Sequence, residues 1–178
     1  MSLNRNKIAG YLVLIGVSQF LLLMIVSEAL YPDYSVKYNY ISDLGVGKTA
    51  IIFNTSIMIM GIMVMIASIL LNARKYYTPL LFLVGLGAFL VGAFPETTGL
   101  PHLIAALITF LFGGISAIVV SIRRNYFWAV LGLVTLIALV LYVVKDYGPL
   151  GIGGMERIIV YPEIIWGISF GTYLTNVK

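Results

Sequence analysis

Six apolar stretches dominate the chain: Ile8–Leu30, Ala50–Leu71, Thr78–Phe94, His102–Ile122, Tyr126–Val144 and Arg157–Leu174. A helix needs about 20 apolar residues to cross the hydrocarbon core of a bilayer. All six runs lie at or near that length, the third and sixth at its short limit. Inside the bilayer each backbone polar group must find a partner within the protein, so a short chain of this kind spans as helices. Only 10% of the residues are charged and 61% are hydrophobic, whereas a soluble domain carries about 25% charge. The expected fold is an all-α integral membrane protein, a compact bundle of six transmembrane helices forming one domain over residues 1–178. The first run is too long for the apolar part of a signal peptide and is expected to stay as an anchor.

The same composition excludes several function classes. The net charge is +4, but the basic residues come in pairs at helix ends and form no single patch, so no nucleic-acid partner is expected. The glycine-rich loop YGPLGIGGMER lacks a Walker lysine and a preceding strand, which argues against a nucleotide. With no cysteine there is neither a disulfide nor a thiolate metal site.

Lysine and arginine favour the cytoplasmic ends of spans. With the N-terminus inside, Arg5, Lys7, Arg74, Lys75, Arg123, Arg124 and Lys178 fall on the inner side, against Lys37, Lys48, Lys145 and Arg157 outside. Both termini are therefore expected in the cytoplasm of a multi-pass protein of the plasma membrane. All seven acids, Glu28, Asp33, Asp43, Glu96, Asp146, Glu156 and Glu163, fall at the opposite end with the sole histidine, His102. Positive-inside bias does not sort acids. Ordinary solvated loops would explain some of them, but Glu28 and Glu163 lie within helical runs, where an ionisable group marks a functional position by default.

Helical periodicity gives these groups a common direction. Glu156 and Glu163 are seven residues apart on one face, which continues through Gly167 and Gly171. Gly85, Ala88, Gly92 and Glu96 align in the third run, and His102, Ala105, Ala106, Thr109, Gly113 and Ser116 in the fourth. Asn54, Gly61 and Ser68 do so in the second. Small residues mark helix–helix seams, so the acids and His102 are predicted to face a shared polar cavity open to the outside. Pro162 removes a donor to the Ile158 carbonyl and predicts a kink beside Glu163. Pro101 suits the first turn of a helix, whose positive end keeps His102 neutral. Glu96, six residues earlier, is its expected carboxylate partner. Tyr31, Tyr34, Tyr38 and Tyr40 in the first loop read as an interfacial aromatic belt. Ser42-Asp43 reads as turn chemistry, with Asp43 alternatively reaching the cavity mouth.

Three segments together, YPDYSVKYNYISDLG, FPETTGLPH and GGMERIIVYPEIIW, resemble a prokaryotic membrane family common in archaea, domain-of-unknown-function family 998. The resemblance spans nearly the whole chain and implies a six-helix membrane protein with no established activity. The ISDLG segment and the acid-then-histidine opening of the fourth run are also similar to the Frag1/DRAM/Sfk1 group, some members of which act in lipid remodelling. On either resemblance the matching positions are Asp43, Glu96, His102, Glu156 and Arg157.

Three functions stay open on the residues. One is a lipid-active hydrolase or transferase, with His102, Glu96, Glu156 and Glu163 as catalytic groups and Arg157, Asp43, Asn54 and Tyr161 as binding groups. Arg157 would hold a phosphate or carboxylate. No serine or cysteine nucleophile is recognisable, so water would attack, with a divalent metal ion on His102 and Glu96 as a conceivable cofactor. The others are a non-catalytic binder of lipid or another small molecule, and an accessory subunit of a membrane complex. Membrane lipids are the expected partners on the first two. A transporter is disfavoured, because no inverted repeat or pair of broken helices is visible.

Overall fold

The protein is described by a computed structural model covering residues 4–71, 76–122 and 124–177. Arg74, Lys75, Arg123 and Lys178, counted above on the cytoplasmic side, lie outside the described residues. Those residues form six helices: α1 (Arg5–Leu30), α2 (Ala50–Leu70), α3 (Thr78–Ala93), α4 (Leu100–Ser121), α5 (Tyr126–Val143) and α6 (Gly151–Asn176). Five are long and apolar enough to cross a membrane, while α3, at 16 residues, is apolar but shorter. The fold is the expected all-α, multi-pass membrane bundle.

Local chemistry marks the starts of α1, α3, α4 and α5. The Asn4 and Asn125 side chains accept from the Asn6 and Phe127 amides and cap α1 and α5, satisfying orphan donors of the first turn. Pro79 and Pro101 stand in the first turns of α3 and α4, where a missing N–H costs nothing. The outward faces are apolar, with Ile15, Leu22, Ile62, Ile69, Leu107 and Ile137 all exposed. Surface of that character suits lipid and not water.

Each helix packs on its sequence neighbours, and α6 closes on α1, so the six form a ring. The small-residue stripes are its seams. A Cβ on Gly61 would lie 2.6 Å from the Gly85 carbonyl of α3, and one on Gly10 would lie 2.8 Å from the Gly171 carbonyl of α6. Nothing larger than glycine lets those backbones touch. α4 also contacts α6 directly, which leaves α5 outside the central space. That space is lined by α1, α2, α3, α4 and α6.

One helix boundary departs from expectation. α6 begins at Gly151 and not at Arg157, so Glu156 and Arg157 lie inside a helix already under way. Gly151 has φ +71°, a left-handed conformation that other residues adopt at a cost. Two residues later the first loop crosses so closely that a Cβ on Gly153 would strike the Asn39 and Val36 carbonyls. The Gly153 amide instead donates to the Lys37 carbonyl at 3.1 Å. Gly151 and Gly153 thus let residues 31–49 fold down onto α6. Pro162, in turn, sits within an unbroken helical segment. The Thr135 hydroxyl of α5 donates to the Ile159 carbonyl at 3.0 Å, one residue beyond the carbonyl that Pro162 leaves without its usual donor.

Candidate functional site

The central cavity has a volume of about 100 Å³. At the acid-bearing end it is bounded by Ile41, Ser42, His102 and Glu156. Glu163 and Trp166 lie midway, and Val64, Leu81 and Phe170 close the far end. Ile41 and Leu44 are 3% and 0% exposed, so the ISDLG segment, a short 3-10 turn over Ser42–Gly45, is packed in as a roof. The sequence pointed to an open polar cavity, whereas this one has mostly apolar walls, is not lined by Glu96 or Asp43, and has a folded loop packed at its acid-bearing end.

Glu156 is 8% exposed, and its Oε2 accepts from the Ile41 amide. This bond holds the roof to α6. Glu96 sits in a 3-10 turn, half-buried; its Oε2 accepts from the Ser42 hydroxyl at 3.0 Å. Burial, reinforced by a hydrogen bond with the Asp43 carboxyl, raises its pKa above the usual carboxylate range. Asp43 accepts from the Asn39 side-chain amide at 2.9 Å and from the Tyr40 amide at 3.0 Å. Ser42, Asp43 and Glu96 therefore form one connected polar group beside the roof.

The expected His102–Glu96 pair is not the one that forms. His102 Nδ1 lies 2.8 Å from the Phe94 carbonyl oxygen. A carbonyl only accepts, so the proton is on Nδ1, and in the neutral ring Nε2 keeps its lone pair. The ring lines the cavity. The carbonyl that ends α3 is thus the group that orients the imidazole, and Glu96 is spent on Ser42 and Asp43. Among the described residues no group of three or more His, Cys, Asp and Glu is arranged to hold a metal ion.

Arg157 is 4% exposed and turns away from the cavity. Its Nη2 donates to Glu28 Oε1 at 2.6 Å and to the Tyr34 hydroxyl at 2.7 Å. Its Nη1 donates to the carbonyls of Gly153, at 2.9 Å, and Val36, at 3.2 Å. The guanidinium also lies 5.4 Å over the Tyr34 ring. The residue read as an anion holder ties α1, α6 and the first loop together. Tyr34, expected in an aromatic belt, is part of this lock, and burial raises its pKa. Asn54 donates to the Gly45 carbonyl at 2.9 Å and fastens the roof to α2. Tyr161 is 36% exposed on the outer surface, apart from the cavity, because α6 continues helically past Glu156 and turns that position outward.

Glu163 is different in kind. Its carboxyl packs against Gly113, where any Cβ would collide with it. One oxygen, Oε1, is buried without a partner among the described residues. Trp166 Nε1 is in the same condition, three residues along α6 and also lining the cavity. Trp166 and Ser42 are the two cavity residues with polar side-chain atoms that the sequence reading did not place there. Trp166 was legible at i+3 from Glu163; Ser42 looked like an ordinary turn residue.

The model of the family described as "Protein of unknown function (DUF998)" matches residues 14–173. The chain belongs to the DUF998 family. The three motif segments, which lie within the matched span, converge in this fold on the roof and the first turns of α4 and α6. No curated protein and no solved structure matches the chain.

Proposed function

We propose that the protein binds a short amphiphile, or the tip of a longer lipid, in the central cavity, with its polar end at Ser42, His102 and Glu156 and its apolar part against α1, α2, α3 and α6. The observation that carries this reading is the shape and lining of the cavity: long, narrow and apolar, with polar groups only at one end and midway. Binding sites for small amphiphiles have this make-up of apolar walls with a few polar groups that fix orientation. The acid-bearing end faces outward, and both termini are in the cytoplasm of a plasma-membrane protein; the excess of Lys and Arg on the side of the termini supports that assignment. The chain has no cysteine, so single cysteines at Thr175 and Lys48 test it cleanly. Lys48→Cys should react with an impermeant thiol reagent in intact cells and Thr175→Cys should not; the reverse pattern overturns the orientation.

Lipid extraction with mass spectrometry tests the binding itself. Ala106 lines the cavity, and Ala106→Phe fills it. Wild-type protein purified in mild detergent should carry a lipid that the variant loses. Equal lipid on both, or none on either, removes the reading.

A second reading, acid–base chemistry on the bound lipid, is favoured by one observation. His102 has its Nδ1 fixed by a carbonyl and its Nε2 lone pair uncommitted among the described residues. That arrangement suits a general base acting on water or on a lipid hydroxyl. His102→Gln should keep the lipid while abolishing its turnover in proteoliposomes. Unchanged turnover in that variant leaves binding without catalysis.

A further inference from the structure

A second depression opens at the other end of the bundle, lined by Tyr76, Ile122, Arg124 and Tyr173. Tyr76 precedes α3, Ile122 and Arg124 lie between α4 and α5, and Tyr173 is near the end of α6. Its volume of about 470 Å³ falls within the range of small-ligand sites, about 300–1,000 Å³. Buried aromatic rings hold its walls. Tyr76 packs edge-on against Tyr77, with centroids 5.6 Å apart, and Tyr173 against Trp128, at 5.5 Å. Tyr77 and Trp128 are themselves buried and both pack on Phe170, at 6.0 and 5.8 Å. The part-buried Arg124 is held as firmly: its guanidinium lies 5.2 Å over the Tyr77 ring, and Nη1 donates to the Val120 carbonyl at 2.8 Å. A guanidinium has five N–H donors. Among the described residues the one ion pair is Arg157 with Glu28, so Arg124 has no carboxylate to neutralise it. The α2–α3 and α4–α5 connections together hold Arg74, Lys75, Arg123 and Arg124 and no acid.

We propose that this depression binds a phosphate ester of net negative charge, held by Arg124 together with the hydroxyls of Tyr76 and Tyr173. The guanidinium fork matches the oxygens of a phosphate, and phenol O–H groups donate to the same oxygens. A carboxylate has two oxygens for the fork and none left over for the two phenols, whereas a phosphate ester has enough for all three residues. A zwitterionic headgroup is disfavoured, because its cation would enter a region of four basic residues and no acid. The depression lies where the helices end, the level of a bilayer's phosphates, and basic pockets between transmembrane helices are suited to anionic headgroups. Ile122 on its rim and Phe127 on the first turn of α5 are both exposed, which gives an acyl chain apolar surface beside the phosphate. A phospholipid headgroup and a soluble phosphate ester share the required chemistry. The site is separate from the central cavity and does not rest on what that cavity binds.

Thermal unfolding of the delipidated full-length protein in dodecyl maltoside micelles tests the site, with affinity read from the shift across a concentration series. The probes are dioleoyl phosphatidylglycerol, dioleoyl phosphatidylcholine and soluble glycerol phosphate. Phosphatidylglycerol should bind about tenfold more tightly than phosphatidylcholine, as expected for charge-assisted hydrogen bonds to Arg124. Glycerol phosphate that binds at least as tightly as phosphatidylglycerol assigns the site to soluble esters; a weaker shift or none assigns it to the lipid. Arg124→Gln should erase the preference for the anionic probe. Tyr173→Phe keeps the ring on Trp128 and should weaken binding about threefold, the loss of one neutral donor. Arg5→Gln removes an equal charge at the same end of the bundle, outside the depression, and should leave the preference intact. Equal shifts from the two lipids with none from glycerol phosphate overturn the proposal. So does a preference that survives Arg124→Gln, or one that Arg5→Gln reduces as far, the result expected if Arg124 serves only to cap α4 and set topology. If Arg124→Gln does not fold, an unchanged preference in both Tyr76→Phe and Tyr173→Phe overturns it.

Discussion

The polar groups of α6 come in two sets, and they are treated in opposite ways. At Glu156 and Arg157, near the start of the helix, the partners are the Ile41 amide, Glu28, Tyr34 and two carbonyls, with Arg157 Nε left over. Two turns further in, at Glu163 and Trp166, each residue keeps an orphan. The upper set is needed to fold the first loop down as a roof. The lower set packs on Gly113 and Phe170 through its other atoms and ties no loop to the bundle.

The comparison breaks most readily at Arg157. Arg157→Met leaves the part-buried Glu28 without its cation and frees the loop from α1 and α6. Removing one partner of such a pair costs about 3–5 kcal/mol, so the melting temperature should fall sharply. Adding Glu28→Gln should recover part of the loss. A mild effect of the single substitution would show that the upper set is not structural after all.

Glu156→Leu should come next. The Ile41 amide would lose its acceptor in a buried position, at about 1–3 kcal/mol, whereas Glu156→Gln keeps a carbonyl for it and should melt close to wild type. Comparing the two variants in detergent separates the hydrogen bond from the charge. If Gln and Leu melt alike, the roof is not held by this bond.

A smaller effect is expected from pH. Burial and the neighbouring Asp43 carboxyl raise the Glu96 pKa above its usual 4.5 in the folded chain. The folded state then holds more protons than the unfolded state between those two values. The stability that this group contributes is full below about pH 4.5 and is lost as pH climbs through the folded value. Glu96→Gln should flatten the melting profile across that window. A profile of the same slope in the variant would assign the dependence to other groups.

The smallest effect on stability belongs to Glu163. Glu163→Leu should change stability by less than about 1 kcal/mol, since hydrocarbon surroundings favour the apolar side chain. It should nonetheless alter which lipid is retained on purification. A large melting loss would place Glu163 with the structural set and erase the difference between the two.

Helix number, capping residues and seams are legible along the chain because each depends on residues within a turn or two of one another. Asn4 and Asn125 sit directly before their helices, Pro101 opens α4, and Gly61, Gly85 and Gly171 fall at helical spacing with other small residues. The direction of Glu163 toward the bundle interior could be read in the same way, from its step of seven beyond Glu156. The pairing of polar groups could not. Arg157 meets Glu28 across 129 positions and Glu156 meets Ile41 across 115, and those meetings require α6 to close the ring on α1 and the first loop to double back over it. Composition and periodicity say that a buried charge must find a partner or a ligand. Which of the two it finds is a matter of distances between distant segments, and only the folded ring sets them.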